Sequence, residues 1–522
     1  MARGQVQQPI FKAYHQHQRM LLPPSLEELI VANHPVRIVN EVLDKIDIRP
    51  LTKQYKTGGA SNYHPQMLLK VLVYAYINNI YSSRKIEEAL QQNIHYMWLS
   101  GMNTPDHNTI NRFRSEKLKE PLRKIFTQVV ELLAAEGLLS IKELYTDGTK
   151  IEANANRYSF VWGNAIKTNK EKMQLQLQEL WKYAQGIAAS ELAEPDPGGF
   201  DSIDADKVKQ TIAKIDTALK DKPGVSKTVK QKLNYAKKHW PEALTKYEAQ
   251  QKILGEQRSS YSKTDTDATF MRMKEDHMKN GQLKPAYNLQ LSSNNQYITH
   301  YSIHPDTTDT NTLTPHLEQY RQQYNAMPDI VTTDAGYGSE ENYQYLQQNN
   351  IQAFVKYNYF DREQQPVKQD KKPFAADKLY YNQAGDYYVC PMGQHMHNSS
   401  TATKKTKTGF IQTITKYIAV NCSRCPLNGS CHQSKGNRII EINHNLNALK
   451  KQAKEKLETA EGIYHRKKRC ADIEPVFANI KNNHGYKRFT LRGKEKVTTE
   501  TGLLSLAHNL RKKCSQNIKK AA

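Results

Sequence analysis

The 522-residue sequence has no apolar run long enough to cross a membrane, and its first residues, MARGQVQQPIFKAYHQHQ, have no signal-peptide core. Cysteine is scarce: six residues are too few for a disulfide framework in a chain of this length, and they indicate a reducing compartment. Acidic side chains are outnumbered as well, because 52 Asp and Glu stand against 75 Lys and Arg and leave a formal net charge of +23. This excess indicates a polyanionic partner, and nucleic acid is a stronger candidate than a membrane surface.

Helical periodicity dominates the first 138 residues, which form the first expected domain. Short helices lead to a segment at 107–114 that Asp106 is expected to cap, with Ile110 and Phe113 facing inward. The polar and basic side chains that can face outward from this helix are Asn108, Asn111, Arg112 and Arg114. Short helices before a polar, basic helix are typical of a helix-turn-helix DNA-binding domain, and a plain helical bundle with a solvated face is the alternative.

The remaining residues predict an α/β core with two insertions. Residues 165–262 are helical and dense in lysine, with a linker at 195–199, and their lysines form either a solvated face or a contact with the flank of bound DNA. A second insertion is polar, β-prone and rich in cysteine. The expected segments after residue 138 are 139–164 (first core strand), 165–262 (helical insertion), 263–360 (core), 361–445 (β-rich insertion) and 446–522 (final core helices and a basic tail).

Three acidic residues stand out because of their surroundings. Asp147 lies inside an apolar, β-prone segment, where a carboxylate is costly unless a cation pairs with it; the alternative is that it ends the strand and begins a turn. Asp334 ends a second short strand before a glycine loop, and Glu474 lies on a late helix. Carboxylates from two strands and a helix can hold the pair of ions, roughly 3.5–4 Å apart, that phosphoryl transfer uses. Mg²⁺ prefers such oxygen ligands.

The segment around Glu474 carries further candidates. Lys481 lies seven residues later, so the two side chains are expected to share a helix face, with the lysine holding a DNA phosphate. Pro475 is tolerated near a helix start, so Asp472 is expected to cap a new helical segment with Glu474 in its first turn. Asp472 is also the fallback for the third acid.

Short motifs follow one another along nearly the whole chain. In the N-terminal part they are His64-Pro65, Leu68-Leu69-Lys70, Tyr74-Ala75-Tyr76, Tyr81-Ser82-Ser83-Arg84-Lys85 and Pro105-Asp106-His107-Asn108-Thr109-Ile110. In the core they are Thr146-Asp147-Gly148-Thr149-Lys150, Thr264-Asp265-Thr266-Asp267-Ala268, Tyr287-Asn288 and Asp334-Ala335-Gly336-Tyr337. Near the end they are Glu474-Pro475-Val476-Phe477, Lys481, Arg492-Gly493 and His508-Asn509-Leu510. In this order they resemble the DDE transposases of bacterial insertion sequences, which have a ribonuclease H-like core, and among these the group numbered eleven eighty-two.

The resemblance implies that Asp147 and Asp334 are the first and second catalytic acids and Glu474 the third. They would bind two Mg²⁺ ions, for which Mn²⁺ substitutes. The implied activity is binding of the element's terminal inverted repeats, strand cleavage and strand transfer on double-stranded DNA. A homodimer in the synaptic complex and a location in the bacterial cytosol at the nucleoid also follow. A non-catalytic DNA-binding regulator and a nuclease without strand transfer are the alternatives.

A related signature spaces tyrosine, two residues, arginine, three residues, glutamate, six residues and lysine. This chain keeps the glutamate and the lysine, but Cys470 stands where the arginine is expected and Lys467 where the tyrosine is expected. Arg469 and Tyr464 lie close to these positions and are the candidates for phosphate contacts.

Four of the six cysteines lie in the β-rich insertion. Cys422 and Cys425 have the two-residue spacing of half a zinc knuckle, and Cys390 and Cys431 would complete a site of four thiolates. A structural Zn²⁺ is the favoured interpretation, and four reduced thiols in an irregular loop are the alternative.

Overall fold

The computed structural model describes residues 25–55, 62–192, 203–220, 222–256, 258–273, 281–365 and 373–521. The linker expected at 195–199 lies outside these ranges, and so does Thr57-Gly58-Gly59-Ala60-Ser61, whose composition predicts a turn.

Short helices fill the described chain before the first strand, as the sequence predicts. They are α1 (Leu26–Leu29), α2 (Pro35–Asp44), α3 (Arg49–Thr52), α4 (Pro65–Ile77), α5 (Ser83–Gln92), α6 (Ile94–Ser100), α7 (His107–Arg112), a π-helical turn (Phe113–Lys117) and α8 (Pro121–Ala135). Asp106 caps α7 as expected, because its Oδ1 accepts a hydrogen bond from the amide of Thr109 over 2.8 Å. α4 is buried on nearly all sides, which explains its almost continuous apolar sequence.

A helical insertion follows the first core strand. The elements in order are β1 (Glu143–Glu152), β2 (Phe160–Trp162), α9 (Gly163–Ile187), α10 (Ala205–Leu219), α11 (Lys227–Leu254) and β3 (Ser260–Ser262). β2 and β3 pair with each other, so the chain leaves the core and returns to it through one two-stranded ribbon. The three helices enclose their own apolar cluster, which includes Leu180, Trp181, Ile212, Leu233 and Trp240. The insertion therefore has a core of its own.

The rest of the core alternates strands and helices. The elements are β4 (Thr269–Arg272), β5 (Leu283–Asn294), β6 (Tyr297–His304), α12 (Leu313–Tyr324), β7 (Ile330–Thr333), a 3₁₀ turn (Ala335–Tyr337), α13 (Glu340–Gln348), β8 (Gln352–Val355) and α14 (Phe360–Glu363). In the sheet, β1 lies between antiparallel β5 and parallel β7, and β8 follows β7 in parallel. β6 and β4 both pair with the other edge of β5, so the strand order is β6-β5-β1-β7-β8.

The cysteine-containing insertion is a separate antiparallel sheet. A 3₁₀ turn (Ala376–Lys378) precedes β9 (Tyr381–Asn382), β10 (Tyr387–Val389), β11 (His395–Lys405), β12 (Ile411–Ala419) and β13 (Ile439–Ile442), which lie side by side in chain order. The β-rich character expected of this region is present in the structure.

Long helices close the chain: α15 (His444–Glu458), α16 (Ala460–Ala478), a π-helical turn (Asn479–Asn483) and α17 (Lys494–Ala521). The expected helix start at Asp472 is wrong, because α16 is continuous through Pro475. Asp472 lies in the middle of the helix, where its Oδ1 accepts hydrogen bonds from Ser293 Oγ (2.5 Å) and the amide of Gln296 (3.0 Å). Its carboxylate therefore holds α16 against the β5–β6 turn, and it does not serve as a helix cap.

The N-terminal helices, one face of the sheet and α17 share a single hydrophobic cluster. This cluster includes Leu72 of α4, Tyr145 of β1, Leu291 of β5 and Leu504 of α17. Residue 138, the expected boundary of the first domain, therefore does not separate two cores. Among the described residues, no helix combines the length and the hydrophobicity needed to span a bilayer.

Candidate active site

Two of the predicted acids lie level with each other on neighbouring parallel strands. Tyr145 of β1 is opposite Thr332 of β7, so Asp147 and Asp334, each two residues further along, lie at the same height. The Asp147 side chain is 13% exposed, and its Oδ1 accepts a hydrogen bond from the amide of Gly148 at 2.7 Å. Asp334 caps the 3₁₀ turn that follows β7, with the amide of Gly336 donating to its Oδ1 at 2.8 Å. Parallel pairing thus brings together two carboxylates that are far apart in sequence.

Arg469 of α16 connects the third acid to this pair. Its Nη1 lies 3.4 Å from Asp147 Oδ2, and its Nη2 lies 3.3 Å from Glu474 Oε1. Burial of the guanidinium opposes its charge, but Asp147, Cys470, Asp334 and Glu474 together raise the pKa of Arg469. The structure therefore arranges all three predicted acids around one buried guanidinium, while the Glu474 side chain itself is 56% exposed.

The described residues contain no group of three or more His, Cys, Asp or Glu side chains with the spacing of a metal site. In the candidate active site the acids do not have metal-site spacing, because Arg469 pairs with both Asp147 and Glu474. The donor chemistry nevertheless suits a hard divalent ion, since three carboxylates approach from two strands and a helix.

A fourth carboxylate, which the sequence analysis did not single out, lies beside these acids. Asp309 follows β6, and its Oδ1 accepts hydrogen bonds from Asn288 Nδ2 (2.8 Å) and Gln290 Nε2 (2.9 Å) of β5. Its side chain also lies over two glycines of the site: a Cβ added to Gly148 would overlap Asp309 Oδ1, and one added to Gly336 would lie 3.8 Å from Asp309 Oδ2. An acid shortly before a helix is usually a capping residue, so the sequence alone gave no signal for this position.

Tyr337 lies close enough to Asp147, Asp309, Asp334 and Arg469 for their charges to act on it. It is fully buried, and its hydroxyl donates a hydrogen bond to Gln290 Oε1. Burial raises the pKa of Tyr337 well above its ordinary value, and Asp309, Asp147 and Asp334 raise it further while Arg469 lowers it. Through Gln290, this hydroxyl connects the loop after β7 to the side chain of Asp309.

The predicted phosphate contacts differ in their accessibility. Tyr464 is 55% exposed, with Lys468 Nζ 5.6 Å from the centre of its ring. Arg469 is buried and paired with carboxylates rather than free to meet a phosphate. Lys481 is 8% exposed and lies in the π-helical turn beyond α16, whereas the Glu474 side chain is 56% exposed. The wider π-helical turn changes the angular spacing on which the seven-residue argument depended.

Most of the predicted DNA-reading side chains of α7 face solvent. Asn108, Asn111 and Arg112 are exposed. The outward position expected for Arg114 is wrong: it is 3% exposed, and its guanidinium donates to the carbonyl oxygen of Tyr81 (2.7 Å) and to Asn111 Oδ1 (3.2 Å). Arg114 lies in the π-helical turn after α7, which carries its side chain to the inner face.

The four cysteines of the β-rich insertion surround one small cavity. They are Cys390, Cys422, Cys425 and Cys431. None forms a disulfide, and two of them receive hydrogen bonds from Arg438, whose amide lies 3.3 Å from Cys422 Sγ and whose Nη1 lies 2.8 Å from Cys431 Sγ. The loops thus bring together the four thiols that the sequence grouped, without the spacing of a metal site.

Two segments of the chain match models of protein families. Residues 24–116 match a transposase domain (DUF772), and residues 389–514 match a transposase DDE domain. The second match includes the cysteines of the insertion and Glu474, whereas Asp147 and Asp334 lie before it. Searches among curated proteins and among solved structures gave no match.

Proposed function

We propose that this chain, which its two matched segments support as a DDE transposase of an insertion element, binds the terminal inverted repeats of that element and cuts and joins DNA. The observation that carries the proposal is the placement of Asp147, Asp334 and Glu474 around Arg469. The strand order β6-β5-β1-β7-β8, with β5 antiparallel to its neighbour β1, supports a ribonuclease H-like core. The motif order favours the group numbered eleven eighty-two.

Asp147, Asp334 and Glu474 would hold two Mg²⁺ ions, or Mn²⁺ in their place. Bound there, the ions would activate the attacking oxygen and stabilise the leaving oxygen of the phosphodiester. For Asp147 and Glu474 to share an ion, Arg469 has to leave its position between them. A guanidinium so released would be available to donate two hydrogen bonds to oxygens of the scissile phosphate.

The surrounding residues position these carboxylates. The hydrogen bonds from Tyr337 to Gln290 and from Gln290 to Asp309 tie the loop that carries Asp334 to β5, which pairs directly with β1. These contacts support the position of Asp334 level with Asp147. Because these carboxylates are already in position, less free energy is needed to bring their negative charges together when the reaction takes place.

Recognition of the terminal repeats is assigned to α7 as part of a helix-turn-helix-like unit. Its exposed Asn108, Asn111 and Arg112 supply the amide and guanidinium groups that read base edges, and the net charge of +23 favours the phosphate backbone. Cutting both ends of an element together calls for a homodimer in the synapse. With DNA as substrate, the protein acts at the nucleoid in the bacterial cytosol.

The cysteine cavity of the β-rich insertion is the proposed site of a structural Zn²⁺, held by Cys390, Cys422, Cys425 and Cys431. Metal analysis of the purified protein tests this assignment. About one zinc per chain is expected, and the Cys422→Ser variant should lose it. A metal-free parent protein would reject the zinc and leave four reduced thiols.

DNA cleavage is the test of the catalytic assignment. In Mg²⁺, Asp147→Asn and Asp334→Asn should each abolish strand cleavage of element-end DNA while binding persists, because the amide keeps the shape and loses the charge. Asp361→Asn, which alters an exposed acid paired with Lys356, should cleave like the parent. Full cleavage by both active-site variants would reject the carboxylate site.

Two further functions are outcomes of the same experiments. The pairing of Arg469 with two of the acids, together with Cys470 where arginine is expected, is the observation that favours a non-catalytic regulator. Such a protein would bind element ends and cut nothing in Mg²⁺ or Mn²⁺. A nuclease would cut, but it would not join labelled 3′-hydroxyl ends to a target plasmid.

A further inference from the structure

A two-stranded ribbon extends beyond the β-rich sheet. β11 pairs with β10 only through residues 395–397, and β12 pairs with β13 only through residues 415–418. Between these limits, residues 402–405 and 411–414 pair only with each other, and most of their side chains are exposed. We call residues 398–415 the arm. A ribbon of this kind buries little apolar surface and is only marginally stable without a further contact.

The arm is basic and polar throughout. It contains Lys404, Lys405 and Lys407 and no acidic residue, and threonine is its commonest other side chain. All three lysines are exposed, and in the part of the chain that the structure describes none of them forms an ion pair with a carboxylate. A run of unneutralised charge on an exposed ribbon is suited to a polyanion.

The tip of the arm contacts α13, the helix that begins six residues after Asp334. Thr408 Oγ1 donates a hydrogen bond to Glu341 Oε2 over 2.6 Å, and Glu341 lies in the first turn of α13, seven residues after Asp334. The tip is itself well formed, because the amide of Thr406 donates to the carbonyl oxygen of Phe410 at 2.8 Å and Gly409 supplies the positive φ of +92°.

The base of the same module is fastened to the neighbouring residue of α13. Glu340 is 3% exposed, and its two oxygens accept hydrogen bonds from Asn443 Nδ2 and Asn445 Nδ2, each over 2.6 Å. The tip of the arm and the residues just after β13 thus contact adjacent glutamates in the first turn of α13.

A basic arm would counter the repulsion between the acids of the site and DNA. Asp147, Asp309, Asp334 and Glu474 lie close together and repel the phosphates of any DNA that approaches them. Lys407 lies close enough to the site to act on Asp306, three residues before Asp309: burial raises the pKa of Asp306, and Lys407 is among the groups that lower it. The lysines of the arm would offset this repulsion.

We propose that the arm binds the backbone of duplex DNA beside the bond that is cut, with Lys404, Lys405 and Lys407 as its phosphate contacts. The inference rests on the proposed function, because it takes the DNA to be the substrate of the adjacent acids. Contacts of this kind hold the register of the duplex and carry no sequence information.

The salt dependence of DNA binding tests the arm. The protein is the Asp147→Asn full-length chain, which should bind without cutting, and the probe is a fluorescent duplex of arbitrary sequence. Affinity falls as salt rises, so the slope of log affinity against log salt is negative. Lysine-to-glutamine changes at positions 404, 405 and 407 together should reduce the magnitude of this slope by about 2–3, since each lost phosphate contact removes about 0.9.

A matched variant separates the arm from general charge. Lys435, Lys451 and Lys456 are exposed lysines outside the arm, the helical insertion and the N-terminal helices, and changing all three to glutamine removes the same charge from another part of the chain. For this variant, the slope of log affinity against log salt should stay near that of the parent. Equal losses in both triple variants, or no loss in the arm variant, would overturn the proposal.

Thr408→Val gives a second, uncharged control. It removes the hydrogen bond to Glu341 and keeps the three lysines, so the parental slope should persist; a slope as low as that of the arm triple would show that the lysines are not the contact. None of these measurements needs catalysis. The proposal for the arm can therefore be rejected while the acids still cut DNA, and it can be supported even if they do not.

Discussion

The side-chain amide of Gln296 donates a hydrogen bond to the carbonyl oxygen of Ala471 over 2.9 Å. Ala471 lies four residues before Pro475, which has no amide hydrogen to offer that carbonyl. The tight β5–β6 turn, in which Asn295 (φ +50°) and Gln296 (φ +61°) are both left-handed, thus supplies the donor that proline lacks. This explains how α16 continues through Pro475 and carries Arg469 and Glu474 to the acids of the sheet.

Loss of this donor should weaken α16. We expect Gln296→Ala to lower the free energy of unfolding in urea by about 0.5–1.5 kcal/mol, the usual net contribution of one such hydrogen bond. Gln296→Gly also removes the amide but accepts the positive φ without strain, so it isolates the hydrogen bond. A glycine variant as stable as the parent would mean that Gln296 contributes nothing to α16.

Removal of Arg469 should lower the stability of the metal-free protein and raise its affinity for metal. Without metal, Arg469→Ala leaves the largely buried Asp147 without its cation, and the free energy of unfolding should fall by about 1–3 kcal/mol. Added Mn²⁺ should then raise the melting temperature of the variant more than that of the parent, because ion binding no longer has to displace the guanidinium.

Arg466→Ala is the matched control for Arg469. It removes the same charge from the same helix, where the Arg466 guanidinium lies 5.0 Å from the centre of the Phe360 ring. Its response to Mn²⁺ should equal that of the parent. If Mn²⁺ stabilises the parent and Arg469→Ala equally, the guanidinium is no barrier to the ion.

The sequence singles out Asp147 and Asp334 because each acid stands within or at the end of a β-prone segment, and it singles out Glu474 through the order of the motifs; the catalytic role of all three stays a prediction. The sequence could not predict the role of Arg469 or Asp309, since both depend on which elements pack together and neither has a distinctive neighbourhood. The outward position expected for Arg114 is wrong because Arg114 lies in a π-helical turn, where helical spacing no longer decides which way a side chain points. Lys481 also lies in a π-helical turn, and the helix face that it is expected to share with Glu474 stays a prediction. The expected helix start at Asp472 failed because the compensating hydrogen bond comes from a distant hairpin.

Gly148 should not tolerate a side chain. A Cβ at this position would overlap Gln290 Nε2 and Asp309 Oδ1, so we expect Gly148→Ala to lower the free energy of unfolding by about 1–3 kcal/mol and to reduce DNA cleavage. Gly186 of α9 offers the opposite case, because an added Cβ there meets nothing within 4 Å. Gly186→Ala should stabilise by about 0.5–1 kcal/mol. Urea unfolding of both variants tests these two expectations. A Gly148→Ala variant as stable as the parent would contradict the close approach of Asp309.

Buried histidines behind the site should make the fold sensitive to acid. Ser302 Oγ lies 2.6 Å from both His304 Nε2 and His316 Nδ1, and His316 Nε2 lies 2.8 Å from Ser292 Oγ. Burial lowers the pKa of His304 to about 4 and that of His316 well below its ordinary value, so the folded state holds both rings neutral.

An unfolded chain takes up protons at these histidines near pH 6.5, before the folded chain does. Their stabilising effect is therefore complete above pH 6.5 and is lost as the pH falls towards 4, at about 1.4 kcal/mol per pH unit for each ring. Between pH 6.5 and pH 5, His304→Gln should lose about 2 kcal/mol less than the parent in urea unfolding. His239→Gln, at an exposed position on α11, should follow the parent curve. Parallel curves for the parent and His304→Gln would show that His304 is not held neutral in the folded protein.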